Sequence, residues 1–220
     1  MNKKLYIPLL LFVSLSVSAQ LQQDPEAGKI LDRFSSMALG DYPLQIGFDY
    51  VYESLIDKET HIETGSLILN KDQFRLRFGE SDVYCNGNTI WNFLPMAGEV
   101  YLSNAEDALA GEFFISNPGA IFTFYQNGYK YQLKGEIEYD NQKYYEINLY
   151  PADLNGDYHT IKLLISMDDL HLYSAEAFGK HGVNHTVIIR NYQRKVSTDE
   201  NTFVFSADDH PDIEMIDTRF

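Results

Sequence analysis

The sequence predicts a mainly β fold with helices, of the α+β class, in which one curved antiparallel sheet forms a half-barrel covered by helical segments. Three observations predict it. Period-two alternation recurs in segment after segment, most cleanly where Phe74, Leu76 and Phe78 alternate with Arg75 and Arg77. Sixteen Tyr and 14 Phe carry the aromatic content to 14%, and such side chains pack well on a pleated surface. Helical periodicity is confined to an N-terminal stripe and to an insert, residues 104–126, between two runs of strands.

Taken in order, the chain begins as an export signal. Lys3 and Lys4 form a basic start, residues 5–15 are apolar except for Pro8 and Ser14, and Val17-Ser18-Ala19 presents small residues to a signal peptidase. Cleavage is expected after Ala19, because the run is shorter than the about twenty apolar residues a membrane anchor needs. Residues 1–19 are then the signal peptide and 20–220 a single exported domain, secreted or periplasmic.

Asp24-Pro25-Glu26 supplies an N-cap, a proline for the first helical position and an acid for the first turn. Ala27, Ile30, Leu31, Phe34 and Met37-Ala38 follow as one apolar stripe ending near Gly40. The period then changes to two. Strands are expected at 46–55, 62–70, 73–78, 82–85, 89–93 and 99–103. Asn70-Lys71-Asp72 turns one pair, and Asn86-Gly87 predicts a type I′ hairpin in another. A helix is expected over 105–114, and Asn117-Pro118 opens a second apolar face carrying Ile121, Phe122 and Tyr125. Strands resume at 129–134, 143–151, 159–167, 172–178, 183–193 and 203–205. A long sheet of this kind twists and rolls. The helical segments cannot bury their apolar faces alone, so they must cover its concave side.

Charge and chemistry narrow the function. Seventeen basic against 32 acidic residues give −15, which repels nucleic acid and anionic lipid headgroups. Cys85 is the only cysteine, so no intramolecular disulfide forms; a half-buried strand position is expected for it. His181 and His185 stand four apart, yet Gly179, Gly182 and Val187-Ile188-Ile189 make their segment strand and turn, without a third ligand. Asp208-Asp209-His210 lacks an activated nucleophile beside it. The expectation is a non-enzyme that needs no cofactor and no metal.

The chain resembles the periplasmic outer-membrane lipoprotein carrier proteins, the LolA family, over essentially its whole mature length. The features are the Asp-Pro-started helix with Ile30-Leu31 and Phe34; Gly65-Ser66-Leu67 leading to a basic turn; Asn86-Gly87-Asn88-Thr89-Ile90-Trp91, where the family has Asp-Gly and a tryptophan; the helical insert; and His210-Pro211-Asp212-Ile213-Glu214-Met215-Ile216-Asp217. The resemblance implies an unclosed β-barrel with a helical lid over an apolar cavity. It also implies a monomeric carrier that receives lipoproteins from an inner-membrane lipoprotein-releasing ABC transporter, shields their acyl chains, and delivers them to an outer-membrane acceptor. The family often latches its lid through an arginine in the turn that here carries Lys71, a cation without arginine's planar fork.

Ten apolar positions share the alternation phase or helix face expected to point inward and are assigned to the acyl-chain cavity: Phe48, Tyr50, Leu67, Leu69, Phe74, Leu76, Trp91, Phe93, Ile121 and Phe122. A slip of one residue would turn any strand's set outward. Arg75 and Arg77 fall on the opposite, solvated face. The alternative is a non-transporting lipid-sensing or protein-interaction module on the same half-barrel, distinguished by whether the space under the lid is filled.

Overall fold

In the computed structural model, residues 23–108 and 117–219 are described. The expected signal peptide and its cleavage site lie outside them, as does most of the helix expected over 105–114. Helix α1 (Pro25–Gly40) forms as its sequence dictates, with Asp24 as N-cap and Pro25 in the first turn. Its buried side is Ala27, Ile30, Leu31, Phe34 and Ala38, the apolar stripe read from the spacing except for Met37, which is exposed.

A first meander follows: β1 (Leu44–Ser54), β2 (Glu59–Asn70), β3 (Gln73–Phe78), β4 (Ser81–Cys85), β5 (Thr89–Leu94) and β6 (Glu99–Asn104). A single helical turn, α2 (Ala105–Ala108), leaves β6. Two short 3-10 segments, Pro118–Phe122 and Phe124–Gln126, then lead to a second meander. It consists of β7 (Tyr129–Tyr139), β8 (Gln142–Pro151), β9 (Tyr158–Ser166), β10 (Leu172–Gly179) and β11 (Val183–Gln193). The chain ends through β12 (Glu214–Asp217).

All twelve strands form one sheet in the order β12-β6-β5-β4-β3-β2-β1-β11-β10-β9-β8-β7. Strand pairs are antiparallel except β12 with β6. The two end strands, β12 and β7, do not pair, so the barrel is unclosed. β1 lies at the centre, paired with β2 on one side and β11 on the other. The link from β6 to β7 therefore joins strands near opposite ends of the sheet, and its 3-10 segments pack on β2, β3 and β7. The inner face, α1 and this link share one apolar core drawn from both meanders. A smaller cluster of Tyr84, Phe93, Val100, Leu102 and Phe205 occupies the outer face of β4–β6.

Several expectations change. The second apolar face of the insert is real, since Ile121, Phe122 and Tyr125 are buried, but its backbone is 3-10 rather than α-helical. Residues 203–205 are no strand: Glu200–Phe203 is a 3-10 turn capped by Asp199, and Phe205 plugs the outer cluster. β12 forms where no strand was expected, and β7 runs five residues further than its pattern suggested. At the Asn86-Gly87 turn only Gly87 has positive φ, 93°, whereas type I′ needs two such residues. The Asn86 side chain holds this turn instead, its Oδ1 accepting from the Asn88 and Thr89 N–H groups at 3.0 and 2.9 Å.

Candidate functional site

Helix α1 is clipped to β7 at its beginning. Asp24 Oδ1 accepts from the Glu26 and Ala27 N–H groups, and its Oδ2 accepts from Leu133 N–H at 3.0 Å. The Leu133 bond is the largest reason that the Asp24 carboxyl is held below the usual carboxylate range. Gln23 extends the clip, donating to Tyr129 O at 3.2 Å and accepting from Tyr131 N–H at 3.1 Å. Farther along, Phe34 meets Phe122 with ring centroids 5.6 Å apart, and Tyr125 donates to Asp32 at 2.9 Å. The helix and the 3-10 segments are thus one cover.

Beneath the cover, eight of the ten assigned residues come together. Phe48, Leu67, Leu69, Phe74, Leu76, Ile121 and Phe122 are buried in one cluster with Ile30, Leu31 and Phe34. Tyr50 is half-buried at its margin, edge-on to Phe78 at 5.1 Å. Trp91 and Phe93 do not join them. Cys85 and Ile90 pair across β4 and β5 and point into the main core. Strand alternation therefore sends Trp91 and Phe93 to the outer face, among Tyr84, Val100, Leu102 and Phe205. Their assignment to the covered face is corrected on that ground.

Lys71 occupies the two-residue turn between β2 and β3 with φ 60°. Its side chain is exposed. The turn nonetheless meets the cover through its backbone, since a methyl group on Gly119 would lie 3.6 Å from the Lys71 carbonyl oxygen. On the outer face Arg75 is more than a solvated side chain. It makes paired bonds of 2.7 and 3.0 Å to Asp82 and lies 4.4 Å from the centre of the Tyr84 ring.

The inner face changes character along its strands. Leu44, Ile46 and Phe48 on β1 are fully buried, whereas Tyr50 and Tyr52 are half-buried. Across β11 stands His185, with ring centroids 5.6–5.8 Å from Tyr50, Tyr52 and Tyr158. Tyr50 Oη and His185 Nδ1 are 2.5 Å apart. Burial, helped by the neighbouring Tyr158 and Tyr52 hydroxyls, pushes the Tyr50 pKa up to about 12, and burial lowers that of His185. This Tyr–His margin was missed in the sequence. His185 keeps phase with Val187 and Ile189, but its pairing with Tyr52 joins segments more than 130 positions apart.

Chemically, the covered face offers apolar surface edged by hydroxyl and imidazole groups. Burial raises the Cys85 thiol pKa, which suits a packing role rather than a nucleophile. His210 stacks on Phe205 at 5.2 Å and lies 4.6 Å from Phe93. Among the described residues no group of three metal-ligating side chains is assembled.

Neither a protein-family model nor a curated protein sequence matches this chain. Solved structures do. An uncharacterized conserved protein from Thermus thermophilus superposes with a TM-score of 0.59 at 14% identity, over 87% of this chain and 99% of that one. A LolA superfamily protein from Nitrosomonas europaea gives 0.44 at 14% identity, over 81% and 97%. A DUF1329 family protein from Desulfovibrio piger gives 0.49 at 14% identity, over 84% and 99%. The first is a shared fold. The other two are looser correspondences of chain path and say nothing of what this chain binds.

Proposed function

We propose that this protein is a periplasmic carrier that holds the acyl chains of lipoproteins between the inner face of the sheet and its cover. Side chains fill the space under the cover, which by itself favours the interaction module; the observation that carries the carrier reading is the make-up of that contact. Ile30, Leu31, Phe34, Ile121 and Phe122 of the cover are buried against Phe48, Leu67, Leu69, Phe74 and Leu76 of the sheet. The polar clip of α1 sits at its first residues instead. Apolar contacts are non-directional, so an acyl chain can replace the cover's side chains at little loss. Leaving one chain of about fifteen methylenes in water costs about 12 kcal/mol, at about 0.8 kcal/mol each. A shuttle between membranes must recover much of this and still release its cargo.

In this reading an inner-membrane lipoprotein-releasing ABC transporter loads the carrier and an outer-membrane acceptor unloads it, as the resemblance to the LolA family implies. The protein acts as a monomer, without enzymatic activity, and its acidic excess, which loss of Lys3 and Lys4 increases, keeps it from lingering on anionic membranes. The test is displacement of a fluorescent fatty acid from the mature protein, with native mass spectrometry of the bound species. Leu76→Asp should weaken acyl binding at least about tenfold, more than it weakens folding. Lys71→Arg should slow transfer of a loaded lipoprotein to acceptor membranes, and Lys71→Ala should change it little; equal rates would remove the latch from the scheme. If no acyl chain is bound, and depletion leaves outer-membrane lipoproteins in place, the carrier reading fails and an interaction module takes its place.

A further inference from the structure

The sheet has two unlike ends. At one end the turns are polar: Lys71-Asp72, Asn86-Gly87-Asn88, Asp140-Asn141 and Asp168-Asp169, with Leu170 turned inward and buried. The other end carries large aliphatic side chains in water. Leu55 and Ile56, in the β1–β2 turn, are 56% and 73% exposed, and Leu154, in the β8–β9 loop, is 81% exposed. Register makes this end a projecting rim. The last β2–β3 pair is Gly65 with Phe78, so Glu59–Thr64 of β2 rise beyond β3 beside β1, by about 20 Å at 3.4 Å per residue.

The rim is ordered before it meets anything. Leu55 N–H donates to Gly182 O at 2.8 Å, and a methyl group on Gly182 would lie 3.3 Å from Ile56. These contacts join the β1–β2 and β10–β11 turns. The Lys180 ammonium donates to the carbonyls of Leu154 and Gly156, and Lys180 N–H donates to Asp157 O at 2.9 Å, which joins the β10–β11 turn to the β8–β9 loop. Three tips are thereby held together with their aliphatic side chains pointing out. Docking them need not order a loose loop, the usual entropic cost of such contacts.

We infer that this rim docks reversibly on a lipid bilayer of zwitterionic headgroups, with Leu55, Ile56 and Leu154 entering the boundary between headgroups and acyl chains. Aliphatic tips spaced around one ordered rim suit a fluid surface, because its headgroups can part around each of them. The charges among them select the surface. Asp57, Glu59, Asp153 and Asp157 outnumber Lys58 and Lys180, and the Lys180 ammonium is already bonded to carbonyls. Anionic headgroups are therefore repelled, and insertion of aliphatic groups must supply the attraction. The same end carries the half-buried Tyr50, Tyr52 and Tyr158 margin of the inner face, so docking presents that margin to the membrane. The inference rests on the rim and stands whether or not the covered face carries acyl chains.

Flotation with phosphatidylcholine vesicles tests it, using the mature protein. Vesicle-bound protein is expected, falling about tenfold in each of Ile56→Asp and Leu154→Asp; both side chains are exposed, so the fold should be unaffected by circular dichroism. In a Trp91→Phe background, Ile56→Trp and Leu154→Trp should shift their emission to the blue with vesicles and be quenched by brominated acyl chains. Asn88→Trp, at the polar end, should do neither. Replacing part of the phosphatidylcholine with phosphatidylglycerol should weaken binding. Absence of vesicle binding overturns the inference, as does binding that requires anionic lipid. A blue shift that follows protein concentration without vesicles also overturns it, assigning the tips to contact between copies of this chain.

Discussion

Phe48 and Gly65 are partners across β1 and β2, and the Phe48 ring lies over the glycine. A Cβ at Gly65 would stand 2.3 Å from Phe48 Cζ and 2.7 Å from its Cε2. Space, not an unusual backbone angle, excludes a side chain here. Phe48 is fully buried and stacks on Phe78 at 6.1 Å, so its ring has little room to retreat. Gly65→Ala should therefore lower stability by about 1–3 kcal/mol, as overpacking of a filled core does. The readout is a lower midpoint in urea at unchanged slope; an unchanged midpoint would mean that the ring swings away freely. The inward phase of Phe48 and Phe74 was legible because their outward neighbours are polar or small. At β5 it was not: Ile90 and Trp91 are both apolar, as are Phe93 and Leu94, so alternation alone chooses neither face. The outer cluster includes Phe205, which arrives from more than a hundred positions away to pack on Tyr84 and Phe93 from outside, and Trp91 packs against the same cluster.

At the scale of elements, α1 was the most legible part of the chain, because cap, proline and stripe agree with one another. What the sequence hides is that its cap serves two elements. Asp24 satisfies α1 through Oδ1 and the edge strand β7 through Oδ2, while its own N–H donates to Tyr131 O at 3.3 Å. Asp24→Ala should cost about 1 kcal/mol for the lost cap alone, and should also free the start of α1 from the sheet. Amide exchange would show this as faster exchange at Glu26, Ala27 and Leu133, with the centre of β1 unaffected. Uniformly unchanged exchange would mean that the apolar stripe alone holds the helix down. The insert was half legible. Its apolar residues were identified, but the backbone is 3-10, in segments of five and three residues set by packing on β2, β3 and β7. β12 escaped because a four-residue strand with one half-buried side chain has almost no pattern. Pairing beside β6 defines it.

For the molecule as a whole, the decisive fact is that its two meanders share a core. β1 pairs with β11 along ten positions, from Gln45 with Gln193 to Ser54 with Val183. The inner cluster unites Leu44, Leu67 and Phe74 from one meander with Ile147, Ile161 and Val187 from the other. Neither half can bury its inner face alone, and the 3-10 segments between the two meanders belong to the cover over that face. One cooperative unit is the expected consequence, although the chain carries two runs of strands that composition alone would allow to be two small domains. Trp91 makes this testable because it is the only tryptophan and lies in the first meander. Urea unfolding followed by its emission should coincide with unfolding followed by far-ultraviolet circular dichroism, which averages over both meanders. A fragment of residues 20–127, carrying the cover and the first meander, should show no cooperative transition, because Phe48 and Leu67 would lack the facing side chains of β8, β9 and β11. Separate midpoints for the two probes, or a cooperative transition in the fragment, would show that the meanders fold independently and meet only afterwards.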